Sequence, residues 1–267
     1  MPDILASAIR IARLAGDELM RYFGRVEASP KSGLDLLTEA DLASEHLILS
    51  ELRVEFPDHT FIAEESSNSP PTGEWVWYID PLDGTSNFSR CDPHFAVALG
   101  LVQRGKPYLG VVYNPAREQL FSAAPQLAGG EAFFNGRPIP TPSASPALSA
   151  ASLGTDWPWD LDLRQHTAAL LERAAPRVRQ IKIRGCAALD LCDVALGILD
   201  AYLHPGCQAW DLAAPLAINA AVGTQLFSSD RLWGLSHQPI VACNPSLSQE
   251  LEPLAALISK HPLHPLN

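Results

Sequence analysis

The chain has no run of 18 or more apolar residues; the nearest approach, Ala187 to Leu203, is interrupted by Asp190, Asp193 and Asp200. A bilayer-spanning helix needs about 20 such residues, so none is expected. Arg10, Arg13, Asp17 and Glu18 break the N-terminal apolar stretch, which argues against a secretory signal peptide. Charge is scarce and one-sided: 18% of residues are charged, and 19 Lys and Arg against 30 Asp and Glu leave a net charge of −11. Nucleic acid and anionic membranes require a basic footprint, so neither is expected as a partner. The five cysteines include no C-x-x-C pair. Neither a zinc knuckle nor a disulfide framework is indicated, and a reducing, cytoplasmic setting is expected. No internal repeat is found, and the 17 Gly and 23 Pro follow no G-x-y period, which excludes collagen.

What is present is a globular composition. The 267 residues are 47% hydrophobic, and a chain of this size buries about 70–75% of its unfolded surface. Ile4, Ala8, Ile11, Ala15 and Leu19 recur at helical spacing, predicting a helix over 4–23 with Gly24 as its stop. Thr38 is a good N-cap for a second helix to about Arg53, with Glu39 and Asp41 in its first turn and Leu42, Leu49 and Leu52 on one side. Strands are expected at Thr60–Ala63, at Trp75–Ile79 ending on Asp80, and at Phe95–Val102 and Tyr108–Val112 as a hairpin with a five-residue loop. Two more are expected near Gln119–Ser122 and Glu131–Phe134, with Asn135-Gly136 as a turn. The Pro-, Ser- and Ala-rich stretch from Thr141 to Ser152 suggests a boundary between a subregion 1–145 and a subregion 146–267 of one compact unit. Beyond it, helices at Leu163–Ala175, Ala187–Leu199 and Asp211–Ala221 alternate with strands at Val178–Ile183 and Asp200–Leu203. The mixture predicts a layered α/β or α+β fold. His261 and His264 fall in a Pro-rich tail expected to be disordered.

The chemistry concentrates in Trp75-Val-Trp-Tyr-Ile-Asp80-Pro81-Leu82-Asp83-Gly84-Thr85-Ser86-Asn87-Phe88. An apolar strand delivers two aspartates three residues apart, followed by a glycine that lets backbone approach a ligand. Two hard carboxylates with a carbonyl between them suit Mg²⁺, and Gly84-Thr85-Ser86 could open a helix that aims N–H groups at a phosphate. A solvated turn is the competing reading. Glu64 and Glu65 after one strand, and Asp211 at a helix start, supply further acids at element ends. The stretch Gly100 to Pro107 nearly spells a P-loop, but Pro107 replaces the Mg²⁺-binding hydroxyl and the segment sits in a hairpin, so it reads as a turn.

Ile62-Ala63-Glu64-Glu65-Ser66, Asp80-Pro81-Leu82-Asp83-Gly84-Thr85-Ser86-Asn87-Phe88 and Trp210-Asp211-Leu212-Ala213-Ala214-Pro215, in that order, resemble the signature motifs of the inositol monophosphatase family. Asp35–Asp41, Gly110–Pro115 and Gly197–Tyr202 support the resemblance, which spans residues 31 to about 223. It implies an α-β-α-β-α sandwich that hydrolyses phosphate monoesters with two or three Mg²⁺ ions, is inhibited by lithium and forms a homodimer. Glu64, Asp80, the Leu82 carbonyl, Asp83 and Asp211 would hold metal. Thr85 with Asp41 would orient and deprotonate an attacking water, with Glu64 also at the catalytic centre. Gly84, Thr85 and Ser86 would hold the phosphate, while Ala187 and His204 would line the pocket for the alcohol. Glu65 would support the site, and Lys31 would either neutralise part of it or be a solvated surface lysine.

Several positions depart from the family pattern. His204 stands where an inositol-binding Glu is usual, Cys186 where Ser or Thr is usual, and Val222-Gly223 replaces Gly-Gly. Imidazole can donate or accept but offers no two-oxygen acceptor, and a loop histidine without substrate contact is the alternative for His204. Thr155 is a further pocket candidate, and Cys207 reads as a bland buried or loop thiol. Myo-inositol 1-phosphate or a similar polyol phosphate is the first-choice substrate, favoured by Asn87-Phe88. Histidinol phosphate, fructose 1,6-bisphosphate and adenosine 3′,5′-bisphosphate are alternatives. A catalytically silent phosphometabolite-binding protein is the alternative from another class.

Overall fold

The computed structural model describes residues 3–32, 35–67, 71–126, 130–143, 147–229, 232–259 and 261–266. The first half runs α1 (Ile4–Tyr22), β1 (Ser29–Ser32), β2 (Asp35–Leu37), α2 (Glu39–Glu55), β3 (Thr60–Ala63), β4 (Trp75–Asp83), α3 (Thr85–Ser89), β5 (Ala96–Gln103), β6 (Lys106–Asn114), β7 (Gln119–Ala123), β8 (Ala132–Phe134) and β9 (Arg137–Pro138). The second runs β10 (Ser152–Thr155), α4 (Leu161–Ala174), β11 (Gln180–Ile183), α5 (Ala187–Ala195), β12 (Ala201–Cys207), α6 (Ala209–Val222), β13 (Gln225–Ser228), β14 (Gln238–Cys243), α7 (Ser248–Ile258) and β15 (His264–Pro265).

Strands β3 to β9 form a seven-stranded sheet in chain order, and a six-stranded sheet has the order β11-β10-β12-β14-β13-β15. Helices α1 and α2 pack together on one face of the first sheet, and α5 and α6 lie between the two sheets. Helices α4 and α7 pair on the outer face of the second sheet. The result is the expected α-β-α-β-α sandwich, with apolar cores on both faces of each sheet. Among the described residues no helix is long and apolar enough to cross a membrane.

The local causes are clear in the first layer. Helix α1 buries Ala8, Ile11, Ala12, Ala15 and Leu19, is capped by Asp3, and ends before Gly24, whose φ is +75°. Helix α2 opens with a capping box in which Thr38 and Asp41 bond each other's backbone. Its buried stripe keeps Leu49 and Leu52 of the expected leucine face but not Leu42. Leu42 is 50% exposed, while Asp41, Ser44 and Glu45 are buried beside Ile48, Leu49 and Leu52.

Other boundaries differ from expectation for identifiable reasons. The β5–β6 loop is two residues rather than five, because Arg104 and Gly105 take φ of +49° and +76° and close a tight turn. β4 continues past Asp80 to Asp83 through a bulge opposite β5. Helix α5 stops at Ala195, and β12 extends to Cys207, so His204 and Cys207 are strand residues. The tail is ordered at His264–Pro265, which pairs with β13. Strands β10, β13 and β14 and helix α7 were not anticipated. The expected boundary at 145 falls within 144–146, outside the described residues.

Helix α6 lies directly against β5 and β6. A Cβ on Gly110 would sit 2.1 Å from the Ala214 carbonyl oxygen, and one on Gly100 would sit 2.4 Å from Ala213 Cβ. Both glycines are therefore required for α6 to rest at this height, and α6 carries Asp211. Gly110→Ala is expected to push α6 off the sheet, costing roughly 1–3 kcal/mol as overpacking does. A melting temperature lowered by about 3 °C or more is the expected result in a thermal scan, and an unchanged value would contradict this packing argument.

Candidate active site

A cleft of about 960 Å³ opens where the ends of β3, β4 and β12 meet the starts of α3, α5 and α6. Glu64, Asp80, Leu82, Asp83, Asp211, Gly84, Thr85, Ser86, Ala187 and His204 all line it. Asp41 lies behind it, buried, and reaches it through Thr85. Thr155 is buried and is not part of the lining; its neighbour Asp156 is.

The β4 bulge organises the centre. Pro81 has no N–H to give to a ladder. Leu82 N donates to Asp80 Oδ1 at 3.0 Å, and Ser44 Oγ from α2 donates to Pro81 O at 2.9 Å. Gly84, at φ +94°, has His94 O, Gly185 O and Phe95 Cα packed where a Cβ would stand. Asp83 Oδ2 accepts from Ala188 N at 2.7 Å and from the Cys186 thiol at 3.1 Å, which ties β4 to the start of α5. Asp211 Oδ2 accepts from Gln208 N at 2.8 Å at the start of α6. Lys31 is not a free surface lysine: its Nζ lies 2.9 Å from Glu64 Oε1 and 2.8 Å from Glu65 Oε1. Burial opposes its charge, but the two carboxylates outweigh that and raise its pKa. Glu65 is further fixed by its N–H, which donates to Glu45 Oε2 at 2.8 Å.

The carboxylates feel one another. Asp80 is held well above the usual carboxylate range, first by burial and then by the charges of Glu64, Asp83 and Asp211. Burial likewise raises Asp83 to about 6, against the bonds from Ala188 and Cys186. Among the described residues, no group of three or more His, Cys, Asp or Glu side chains is drawn into a ready metal cage. The donor set nevertheless fits a hard divalent cation. It is all oxygen and mutually repelling, and Asp80 Oδ2 and Asp83 Oδ1 accept from no protein group among the described residues.

Thr85 Oγ1 lies 3.0 Å from Asp41 Oδ1 and 3.1 Å from Leu82 O. One hydroxyl proton can serve only one of them at a time. Asp41 Oδ2 is held by Thr38 N at 2.7 Å and Thr38 Oγ1 at 2.5 Å, so the capping box of α2 aims Oδ1 at Thr85. Burial raises the Asp41 pKa, and the bonds from Thr38 and Thr85 oppose the rise.

The wall toward the second sheet was only partly anticipated. Asp156 Oδ1 accepts from Gly185 N at 2.6 Å and Arg184 N at 3.2 Å, and Oδ2 accepts from Tyr202 OH at 2.8 Å. Asn87 Nδ2 donates to the carbonyls of Arg184 and His94 at 2.7 and 2.8 Å. The loop preceding α5 is thus clamped through its amides by Asp156 and through a carbonyl by Asn87. Arg184 also pairs with Asp190 and Asp193, each at 2.7 Å. The available signal was position: Asp156 directly follows β10, whose end opens on the cleft. Trp157 and Trp159 line the cleft as well.

His204 is buried. Its Nδ1 faces Gly206 N at 3.1 Å and the Cys207 thiol at 3.2 Å. Accepting there places the ring proton on Nε2. Burial pushes its pKa down to about 4.

Carboxylates gathered at a strand bulge beside a helix start, inside a five-layer sandwich, make a site suited to a hard cation and a small anionic ligand. A sequence profile described as the Inositol monophosphatase family matches residues 2–263. Inositol monophosphatase 2 of Solanum lycopersicum is 36% identical over 258 residues, covering 92% of this chain and 96% of that protein. A protein named Nus factor SuhB, from Pasteurella multocida, is 36% identical over 219 residues, 80% of each chain. The structure of a Thermotoga maritima IMPase superposes with a TM-score of 0.83 at 31% identity, covering 96% of this chain and 98% of that one. The chain belongs to the inositol monophosphatase family, which supports phosphatase activity on small phosphate esters.

The His204 shift has a consequence for stability. Below pH 6.5 the unfolded chain takes up a proton that the folded chain refuses until about pH 4. Stability present above pH 6.5 is therefore lost as pH falls through that window, on the order of 3 kcal/mol from this group. Asp83 and Asp190, both raised to about 6, act in the opposite direction. A His204→Gln comparison isolates the histidine: wild type is expected to lose more stability between pH 6.5 and 4 than the variant. Parallel melting curves at several pH values check this, and equal losses would contradict the burial argument.

Proposed function

We propose that this protein is a Mg²⁺-dependent phosphomonoesterase, acting first on myo-inositol 1-phosphate or a similar polyol phosphate. The observation that carries the reading is the convergence of Glu64, Asp80, Asp83 and Asp211 on one cleft, where burial first and then the charges of the other three raise the pKa of Asp80. Glu64, Asp80, the Leu82 carbonyl, Asp83 and Asp211 are the groups that would hold two or three ions. When bound, Mg²⁺ would neutralise the substrate dianion and lower the pKa of the attacking water.

The chain's own residues divide the remaining work. Thr85 can pass its hydroxyl proton to Asp41 Oδ1 and present an acceptor lone pair to water, so the pair serves as the route for the water proton. The amides of Gly84 and Thr85, with Ser86 beside them, receive the phosphate oxygens at the start of α3. Lys31 adds a cation next to Glu64. On the alcohol side Ala187 supplies an apolar wall and His204 a neutral N–H donor. Residues 1–145 carry most of the phosphate machinery, and residues 146–267 supply Asp211 and the alcohol wall. Transfer in line to water needs little beyond positioning and charge stabilisation. The reading keeps a homodimer on the strength of the family resemblance.

Phosphate release from inositol 1-phosphate is expected with Mg²⁺ and not with EDTA. Asp83→Asn and Asp211→Asn are expected to abolish turnover with folded spectra intact, and Thr85→Val to lower kcat by roughly 10²–10⁴-fold as loss of acid–base assistance does. Full activity in either Asn variant would overturn the assignment. Tight binding of the ester by wild type with no release would instead support the catalytically silent binding protein.

A further inference from the structure

Asp83 has two duties. Helix α5 begins at Ala187, after Cys186, whose side chain accepts none of the helix N–H groups. The first N–H groups of a helix have no partner within it. Asp83 Oδ2, arriving from β4, takes the Ala188 N–H at 2.7 Å in place of a local cap. One carboxylate therefore caps α5 and lines the cleft, and its aim depends on where α5 begins.

That start is gripped from both sheets. On the side of the first sheet, Asn87 Nδ2 donates to Arg184 O at 2.7 Å and Gly185 O at 3.2 Å. Asn87 follows Asp83 by four residues, so this grip travels with β4. The grip from the second sheet is Asp156, directly after β10. Its Oδ1 accepts from Gly185 N and Arg184 N, and its Oδ2 from the hydroxyl of Tyr202, a fully buried residue of β12. Gly185 turns at φ +74°, so a tether on its N–H sets the direction in which the chain enters α5. A carboxylate has about four acceptor positions, and buried protein donors fill three of those on Asp156. Asp156 lines the cleft, yet it has little capacity left for a ligand; what it does is hold.

We propose that Asp156 is a positioning residue for Asp83: by tethering the Arg184 and Gly185 amides to the second sheet, it sets how tightly the cleft holds a divalent cation. This rests on the reading above in which Asp83 is one of the groups that hold Mg²⁺.

Calorimetric titration of the metal-free protein with Mg²⁺ alone, with no ester present, tests this. Asp156→Ala is expected to raise the Mg²⁺ Kd about tenfold, the lower end of the effect of groups that orient metal ligands. Asp156→Asn loses the charge but keeps an oxygen for the two amides and offers N–H to the Tyr202 oxygen. Its Kd is expected to stay within about threefold of wild type, well short of the cost of losing an orienting group. Exchange of the Ala188 amide proton, followed by NMR, is expected to quicken in the alanine variant and not in the asparagine variant. Asp156→Ser, too short to reach the amides and Tyr202 together, carries the same expectations as alanine and is read in its place if that variant does not fold. Equal weakening in Asp156→Asn would trace the effect to charge and overturn the tether. So would a lowered metal-free melting temperature with an unchanged Kd, or a raised Kd with unchanged Ala188 exchange. Mg²⁺ binding that is the same in wild type and every variant overturns the positioning role and leaves the phosphatase reading standing; no Mg²⁺ binding by wild type overturns both.

Discussion

Four carboxylates that repel one another must be held together before any ligand arrives, and the rest of the structure is arranged around that constraint. Glu64 comes from the end of β3, Asp80 and Asp83 from the β4 bulge, and Asp211 from the start of α6. Two unit charges about 4 Å apart cost about 4 kcal/mol at an effective dielectric near 20. The fold meets that cost with donors that cannot leave. Leu82 N holds Asp80, Ala188 N holds Asp83, Gln208 N holds Asp211, and Lys31 holds Glu64. Three of these four donors are backbone amides, whose positions depend on strand and helix geometry and not on the ionic state of the site.

That geometry in turn explains the packing of the central helices. Helices α5 and α6 lie between the sheets, and both begin at the cleft. Asp211 reaches the β4 carboxylates only because α6 rests on Gly100 and Gly110 with no side chain between. Ala188 N reaches Asp83 only because the preceding loop is clamped by Asp156 on one side and Asn87 on the other. Asp156, a buried carboxylate that accepts three hydrogen bonds, ties that loop to β12 within the second sheet, while Asn87 and Asp83 tie it to the first. The carboxylate end of the cleft and the wall toward the second sheet are thus separate constructions sharing one loop.

The carboxylate end was legible in the sequence because it is local. Asp80 to Ser86 is one continuous stretch, and a nine-residue apolar strand that runs through a proline and ends at a glycine leaves few conformations for the residues after it. The wall toward the second sheet was legible only at Ala187 and His204, because most of its residues arrive from β10, β11, β12 and the start of α4, and only the tertiary fold brings them together. Sequence position therefore points to Thr155, one residue short of Asp156. The alternative of a loop histidine at position 204 fails because β12 runs through it to Cys207, with a bulge between the two. One available signal lies in α2. Asp41, Ser44 and Glu45 share the helical face of Ile48 and Leu52, and polar residues on a buried stripe mark a helix that serves a site. A stripe drawn through Leu42 hides that pattern.

The same division separates what the main chain fixes from what side chains fix. Backbone tethers and a capping box define where Asp41, Asp80 and Asp83 sit, and those depend on main-chain conformation more than on side-chain identity. The far wall is side chain throughout: two indoles, a buried histidine, a thiol and an aspartate. Such a wall can change without disturbing the carboxylates, because the clamp at Asp156 and Asn87 isolates the loop that joins them. Cys186 shows the coupling that remains. Its thiol is a weaker donor to Asp83 than a hydroxyl, so a larger share of the tether falls on Ala188 N, and alignment of that carboxylate depends the more on the clamped loop.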